Sequence, residues 1–175
     1  MATMSSYSLP AIPAHLKWQI LSFQRLVWPE GFRGRDEFHP VTFVLTDNDV
    51  LLSHLQVVWK NLEHRGILYK TYGFSGVFTY PSHRRKGFAS ELIKAGSKRI
   101  EKQGDADIIF FTTTIEGLYE KAGFEKLEKA KVLTGDQQKP ELYQEISYAR
   151  FVSVKGRRGR TDFMEYPIYF GEHIW

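Results

Sequence analysis

Apolar residues recur at helical spacing between residues 14 and 28. Leu16, Ile20, Phe23 and Val27, with Leu21 and Leu26 between them, form one broad face that Pro29 ends. The period then changes. Residues 41–46 (Val-Thr-Phe-Val-Leu-Thr) form a β-rich run, Asp47-Asn-Asp is a turn, and residues 51–62 return, which predicts a hairpin. Glu63-His-Arg-Gly66 is a second turn, followed by a strand that ends at Tyr80. Leu92, Ile93, Gly96 and Ile100 restore the helical period and predict a long helix over about 84–103. Beyond it the pattern predicts a strand over 107–113, a short helix over 115–122, and a strand over 124–130. Gly123 would close the short helix as a left-handed cap. A polar break over 134–140 precedes two last strands, 142–154 and 163–170. Several consecutive strands before the main helix predict an α/β (α+β) fold, a mixed sheet flanked by helices, and not an alternating barrel.

The 175 residues suit one compact domain, expected to span 1–175, and 42% apolar with 15% aromatic content is that of a globular chain. No stretch approaches the ~20 apolar residues of a membrane span, and residues 1–13 lack a basic segment followed by an apolar run, so no secretory signal is expected. The chain has no cysteine, which excludes disulfides and thiol chemistry and fits a cytoplasmic location. A net charge of +4 suits an anionic small molecule and is too diffuse to require nucleic acid. Its one concentration, Lys155-Gly-Arg-Arg-Gly-Arg160, is spaced by glycines between two strand-like segments and reads as a hairpin tip. An RNA-binding reading rests on that tract alone.

The chemistry is concentrated after Tyr80. An extended segment runs through Pro81-Ser-His into Arg84-Arg-Lys-Gly-Phe-Ala89 and then directly into the long helix. The first turn of a helix leaves backbone N–H groups without intrahelical partners, and the helix dipole favours an anion there. Gly87 allows close approach of backbone to ligand, while Arg84, Arg85 and Lys86 add positive charge. A second segment, Leu118-Tyr-Glu-Lys-Ala-Gly-Phe124, follows the next strand.

In that order, the two segments resemble the GNAT acyltransferase superfamily. Its pyrophosphate motif Arg/Gln-x-x-Gly-x-Gly/Ala is matched by Arg84-x-x-Gly87-x-Ala89, and its later Leu-Tyr-Glu-Lys-x-Gly-Phe by residues 118–124. The resemblance implies a GNAT fold: a mostly antiparallel twisted sheet whose splayed central strands form a wedge for acetyl-CoA, the cosubstrate. It implies that the strand residues Val77, Phe78 and Thr79 line pantetheine, with main-chain pairing at Val77 and Thr79. It also implies that Arg84, Arg85, Lys86, Gly87, Phe88, Ala89 and Ser90 hold the pyrophosphate. The implied reaction is direct attack of a primary amine on the thioester, with Tyr119 as the acid that protonates the departing thiolate.

Most of the chain is similar to the aminoglycoside 2′-N-acetyltransferases, through the Ser53–Val58 strand, the basic loop, Leu118-Tyr119 and the final tryptophan. Where that group carries a glutamate near the end of the cofactor strand, this chain has Ser75, which could hold a relay water but is no base at neutral pH. Where that group has an aspartate before its last tryptophan, this chain has His173 beside Glu172. Asp36, Glu37, Glu172 and the carboxylate of Trp175 are the candidate anionic neighbours of a cationic acceptor. His54, on an apolar strand, reads as a core or supporting histidine, and His83 as an exposed loop residue. No His or carboxylate cluster has metal spacing. The expected partner is a small-molecule amine, with no nucleic acid and no membrane, and a homodimer is left open. Ser75, and Thr112 where the family often has asparagine, are the only support for the alternative, an acyl-CoA-binding or regulatory module without turnover.

Overall fold

The computed structural model describes residues 1–28 and 36–175, with Asp36 described by its backbone alone. The chain runs β1 (Thr3–Ser8), α1 (Ala14–Val27), β2 (Val41–Asp47), β3 (Val50–His64), β4 (Ile67–Thr79), α2 (Phe88–Gln103) and β5 (Ile108–Thr113). It continues with β6 (Glu125–Lys126), β7 (Val132–Thr134), β8 (Glu141–Tyr143), β9 (Ile146–Phe151), α3 (Val154–Glu165) and β10 (Ile168–Gly171). Hydrogen-bonded neighbours follow the order β1-β2-β3-β4-β5-β9-β6 in one sheet and β10-β7-β8 in another. The larger sheet is mixed: β4 and β5 pair in parallel, Thr71 with Ile108 and Tyr72 with Ile109, while β1–β2, β2–β3, β5–β9 and β6–β9 are antiparallel. The expected α/β sheet flanked by helices is therefore observed. Among the described residues no helix is long and apolar enough to cross a membrane.

The residues cluster into two compact units, Met1–Val58 with Phe74–Arg99 and Trp59–Gly73 with Ile100–Trp175. In the first, the predicted hairpin forms with Asn48 and Asp49 at φ 48° and 64°, the left-handed pair that a two-residue turn requires. β3 is buried on both faces from Leu51 to Val58. Leu16, Ile20 and Phe23 of α1 cluster with Val44, Leu51 and Phe78. α2 comes close through Gly96, where a β-carbon would lie 3.0 Å from Phe74 and 3.1 Å from Val57. β1 has no counterpart in the sequence reading: its residues are mostly polar and none is fully buried, and it is held by its ladder to β2 and by Tyr7 against the Leu16–Phe78 cluster.

The second unit corrects the sequence reading most. Residues 155–160 are no hairpin tip; they lie in α3, so the strand expected at 163–170 shrinks to β10. The glycines explain this. Gly156 and Gly159 are buried and face inward, Gly156 against the main-chain oxygen of Asp107 and Gly159 against the Tyr69 hydroxyl, leaving no room for a β-carbon at either. The arginines stay outside, with Arg160 paired to Glu125. Ser153 caps the helix, accepting from Gly156 N at 2.9 Å while its hydroxyl donates to Asp107 Oδ1 at 2.6 Å. Asp107 also accepts from Lys70 N (2.8 Å) and Lys155 Nζ (2.6 Å). Burial alone would raise its pKa; these donors outweigh that and hold it below the usual carboxylate range.

Three smaller differences concern boundaries. The strand expected over 142–154 divides into β8 and β9, the one over 124–130 shortens to β6, and β7 forms just before the polar stretch, reaching it only at Thr134. The short helix over 115–122 is a single 3₁₀ turn, Glu120–Ala122, with Gly123 at φ 83° closing it as expected.

Candidate functional site

In the first unit, the candidate cofactor residues form one continuous stretch. β4 carries Gly76 at φ +56°, a mid-strand left-handed residue that marks a bulge. Past it, the carbonyls of Gly76 and Phe78 accept from His54 and Ser53 of β3, and Tyr80 N donates to Leu52 O at 3.0 Å. Even-numbered main-chain groups therefore face β3. Successive residues of an extended strand alternate edges, so those of Val77 and Thr79 face the opposite edge. Arg84 Nε donates to Thr79 O from that side at 3.2 Å, an exposed bond. Ser75 is buried in β4 directly before the bulge.

A 3₁₀ turn, Pro81–His83, ends β4; His83 within it is half-buried. The helix expected from residue 84 begins later, at Phe88, because Arg85 and Gly87 take left-handed φ of 63° and 83°. Such residues cannot lie in a right-handed helix. They instead fold residues 84–87 into an exposed turn that leads into the helix N-terminus. Among the described residues, a β-carbon on Gly87 would meet nothing within 4 Å, so the backbone is open to them on that side. The first-turn N–H groups of Phe88, Ala89 and Ser90, which precede the first helical bond from Glu91 N to Gly87 O, and three exposed cations, Arg84, Arg85 and Lys86, give this turn the right chemistry to hold a pyrophosphate.

In the second unit Tyr119 is deeply buried. Its ring packs on Phe111 at 4.6 Å and on Tyr148 at 5.5 Å. Its hydroxyl shares a hydrogen bond with the Thr113 side chain. Burial pushes its pKa up to about 12; the Thr113 bond lowers it and the charge of Glu145 raises it. At neutral pH this is a protonated phenol, a donor and not a base. Thr113 also lines a cavity of about 450 Å³ together with Thr114, Lys126, Glu128, Glu145 and Ser147. Glu145 bonds the Tyr143 hydroxyl, which burial and that carboxylate raise to about 12. Glu145 lies in no motif of the sequence; the antiparallel pairing of Thr113 with Ile146, the residue after it, sets it on the same cavity wall as Thr113.

Glu37 is exposed, and the Asp36 side chain lies outside the described residues. Glu172 is exposed with His173 Nε2 at 3.9 Å. Trp175 is half-buried, its ring edge-on to Phe170 at 4.6 Å and its indole against Gly73.

A family profile described as an acetyltransferase (GNAT) domain matches residues 17–127. No curated protein sequence matches the chain. In structure the chain is similar to an acyl-CoA N-acyltransferase from Pseudomonas aeruginosa, with TM-score 0.61 and 13% identity over 86% of this chain and 99% of that one. It is also similar to an aminoglycoside 6′-N-acetyltransferase complexed with coenzyme A (TM-score 0.58, 14% identity, 85% and 96% covered). A conserved protein from Enterococcus faecalis aligns with TM-score 0.57 and 15% identity over 78% of this chain, which spans 39% of that protein. At these identities the likeness is one of fold.

Proposed function

Because the chain belongs to the GNAT acetyltransferase family, we propose that it transfers the acetyl group of acetyl-CoA to a primary amine of a small molecule. The single observation that carries this reading is the geometry of residues 76–88. An outward-facing main-chain edge at Val77 and Thr79 runs into an open, triply cationic turn at a helix N-terminus. An extended pantetheine arm would add to that edge like a strand, exchanging with the Arg84–Thr79 bond. The amides from Arg85 to Ser90 would take the pyrophosphate.

Acetyl-CoA supplies an activated acyl group on a thiolate leaving group. A neutral amine attacks the carbonyl carbon, the C–S bond breaks, and the sulfur takes the phenolic proton of Tyr119. The ammonium proton leaves through water, which Ser75 is suited to hold, or to a carboxylate. Glu145, on the wall of a cavity that Thr113 shares, is the acid we favour for a cationic acceptor, ahead of Asp36, Glu37, Glu172 and Trp175. Aminosugars of the aminoglycoside kind, including those acetylated at the 2′ position, are the first acceptors to try, followed by polyamines.

A second reading, an acyl-CoA-binding module without turnover, is favoured by the serine at position 75 and by the burial of the Tyr119 hydroxyl. A thermal-shift titration with acetyl-CoA, run beside an Arg85→Glu/Gly87→Glu variant, tests the shared premise. Stabilisation of the wild type alone supports cofactor binding; no shift at millimolar acetyl-CoA removes both readings. Release of CoA across an amine panel then separates the enzyme from the module.

A further inference from the structure

We infer that His54 is a positioning residue that holds the cofactor edge of β4 through its bond to the Gly76 bulge. The inference rests on the acyl-CoA reading above. His54 is fully buried, and its Nδ1 lies 2.7 Å from Gly76 O. A carbonyl can only accept, so Nδ1 carries the proton and Nε2 is the lone-pair nitrogen. Among the described residues, that buried Nε2 has no hydrogen-bond partner. A buried unpaired acceptor costs stability, and a leucine would fill similar space without that cost. Packing alone therefore does not account for a histidine here; the bond to Gly76 does.

The bond falls where β4 most needs support. A bulge leaves a residue outside the regular ladder, and here that residue is held left-handed at φ +56°. The imidazole stacks on Phe78, centroids 4.9 Å apart, and so grips β4 on both sides of Val77. The neighbouring Ser53 completes the clamp, donating to Phe78 O at 2.8 Å with Thr79 Oγ1 also at 2.8 Å. With Gly76 O and Phe78 O fixed toward β3, Val77 and Thr79 have their main-chain groups fixed toward the other edge. His54 touches no reacting atom; its effect reaches the cofactor through the strand.

The test compares coenzyme A affinity and steady-state constants for the wild type with His54→Leu, His54→Asn and His54→Gln. The Leu variant should bind coenzyme A about tenfold more weakly, the loss of one buried hydrogen bond, with KM for acetyl-CoA rising in step. His54→Asn places an amide N–H near the Nδ1 position and should recover most of that loss; His54→Gln, reaching the Nε2 position, should not. A Leu variant with wild-type affinity but lowered thermal stability overturns the inference, because the bond would then serve folding alone. If the variants do not fold, a nitrogen–proton correlation spectrum of the wild-type imidazole decides. A proton on Nδ1 whose signal moves when coenzyme A is added supports the inference, and a proton on Nε2, or no response, defeats it. Wild-type protein that binds no coenzyme A defeats the acyl-CoA reading itself, a result distinct from binding that is indifferent to position 54.

Discussion

Trp175 stands so close to Gly73 that a β-carbon on the glycine would overlap the indole nitrogen. The contact joins the last residue of the chain to the middle of β4, and Phe170 backs the indole edge-on at 4.6 Å. Gly73→Ala should cost about 1–3 kcal/mol, the range for overpacking a filled site. Urea unfolding of Gly73→Ala, Trp175→Phe and the double variant checks the cause. If the indole is what the methyl meets, the smaller ring relieves part of the damage and the effects are non-additive. Simple additivity would show that the strain lies elsewhere.

Two glycines of α3 offer a contest between propensity and packing. Gly→Ala in a helix interior ordinarily stabilises by about 1 kcal/mol. At Gly156 the new methyl would press on the main-chain oxygen of Asp107, and at Gly159 on the Tyr69 hydroxyl. Main chain yields less than the tip of a side chain, so Gly156→Ala should destabilise by about 2 kcal/mol or more and Gly159→Ala by less. A rise in melting temperature for Gly156→Ala would mean that helix propensity outweighs the contact with the Asp107 main chain.

His54 makes stability depend on pH. Burial, only partly offset by the bond to Gly76, lowers its pKa from 6.5 to about 4. The folded value is below the unfolded one, so between them the unfolded chain holds the extra proton. The contribution is whole above pH 6.5 and is lost progressively as pH falls toward 4, at about 1.4 kcal/mol per unit at most. Denaturant midpoints measured from pH 7 to 4.5 should fall more steeply for the wild type than for His54→Asn. Equal slopes would mean that another group titrates in this window.

Removal of the Tyr119 hydroxyl tests the acid role. Tyr119→Phe keeps the ring on Phe111 and Tyr148, so folding should change little, whereas kcat should fall by about a hundredfold or more with KM for acetyl-CoA unchanged. With the phenol's pKa near 12, its ionisation should produce no alkaline loss of activity below about pH 11 in the wild type. An unchanged kcat would assign the hydroxyl to its bond with Thr113 alone.

The sequence by itself determined what is encoded over a few residues. The Asp47-Asn-Asp turn sets the β2–β3 hairpin, the period of Leu92, Ile93, Gly96 and Ile100 sets α2, and Gly123 sets the cap after Tyr119, because turn geometry and helical period are local constraints. The basic turn before α2 was legible for the same reason, although only the structure showed that left-handed Arg85 and Gly87 delay the helix to Phe88. Tertiary structure alone decided α3: glycines at 156 and 159 weaken a helix taken in isolation, and they favour this one because Asp107 and Tyr69 leave space for nothing larger. Neither the edge to which Val77 and Thr79 turn, nor the bond by which His54 holds Gly76, nor the approach of Glu145 to Thr113 can be read along the chain. Each depends on which strand lies alongside, and strand pairing joins residues whose separation in sequence carries no local signal.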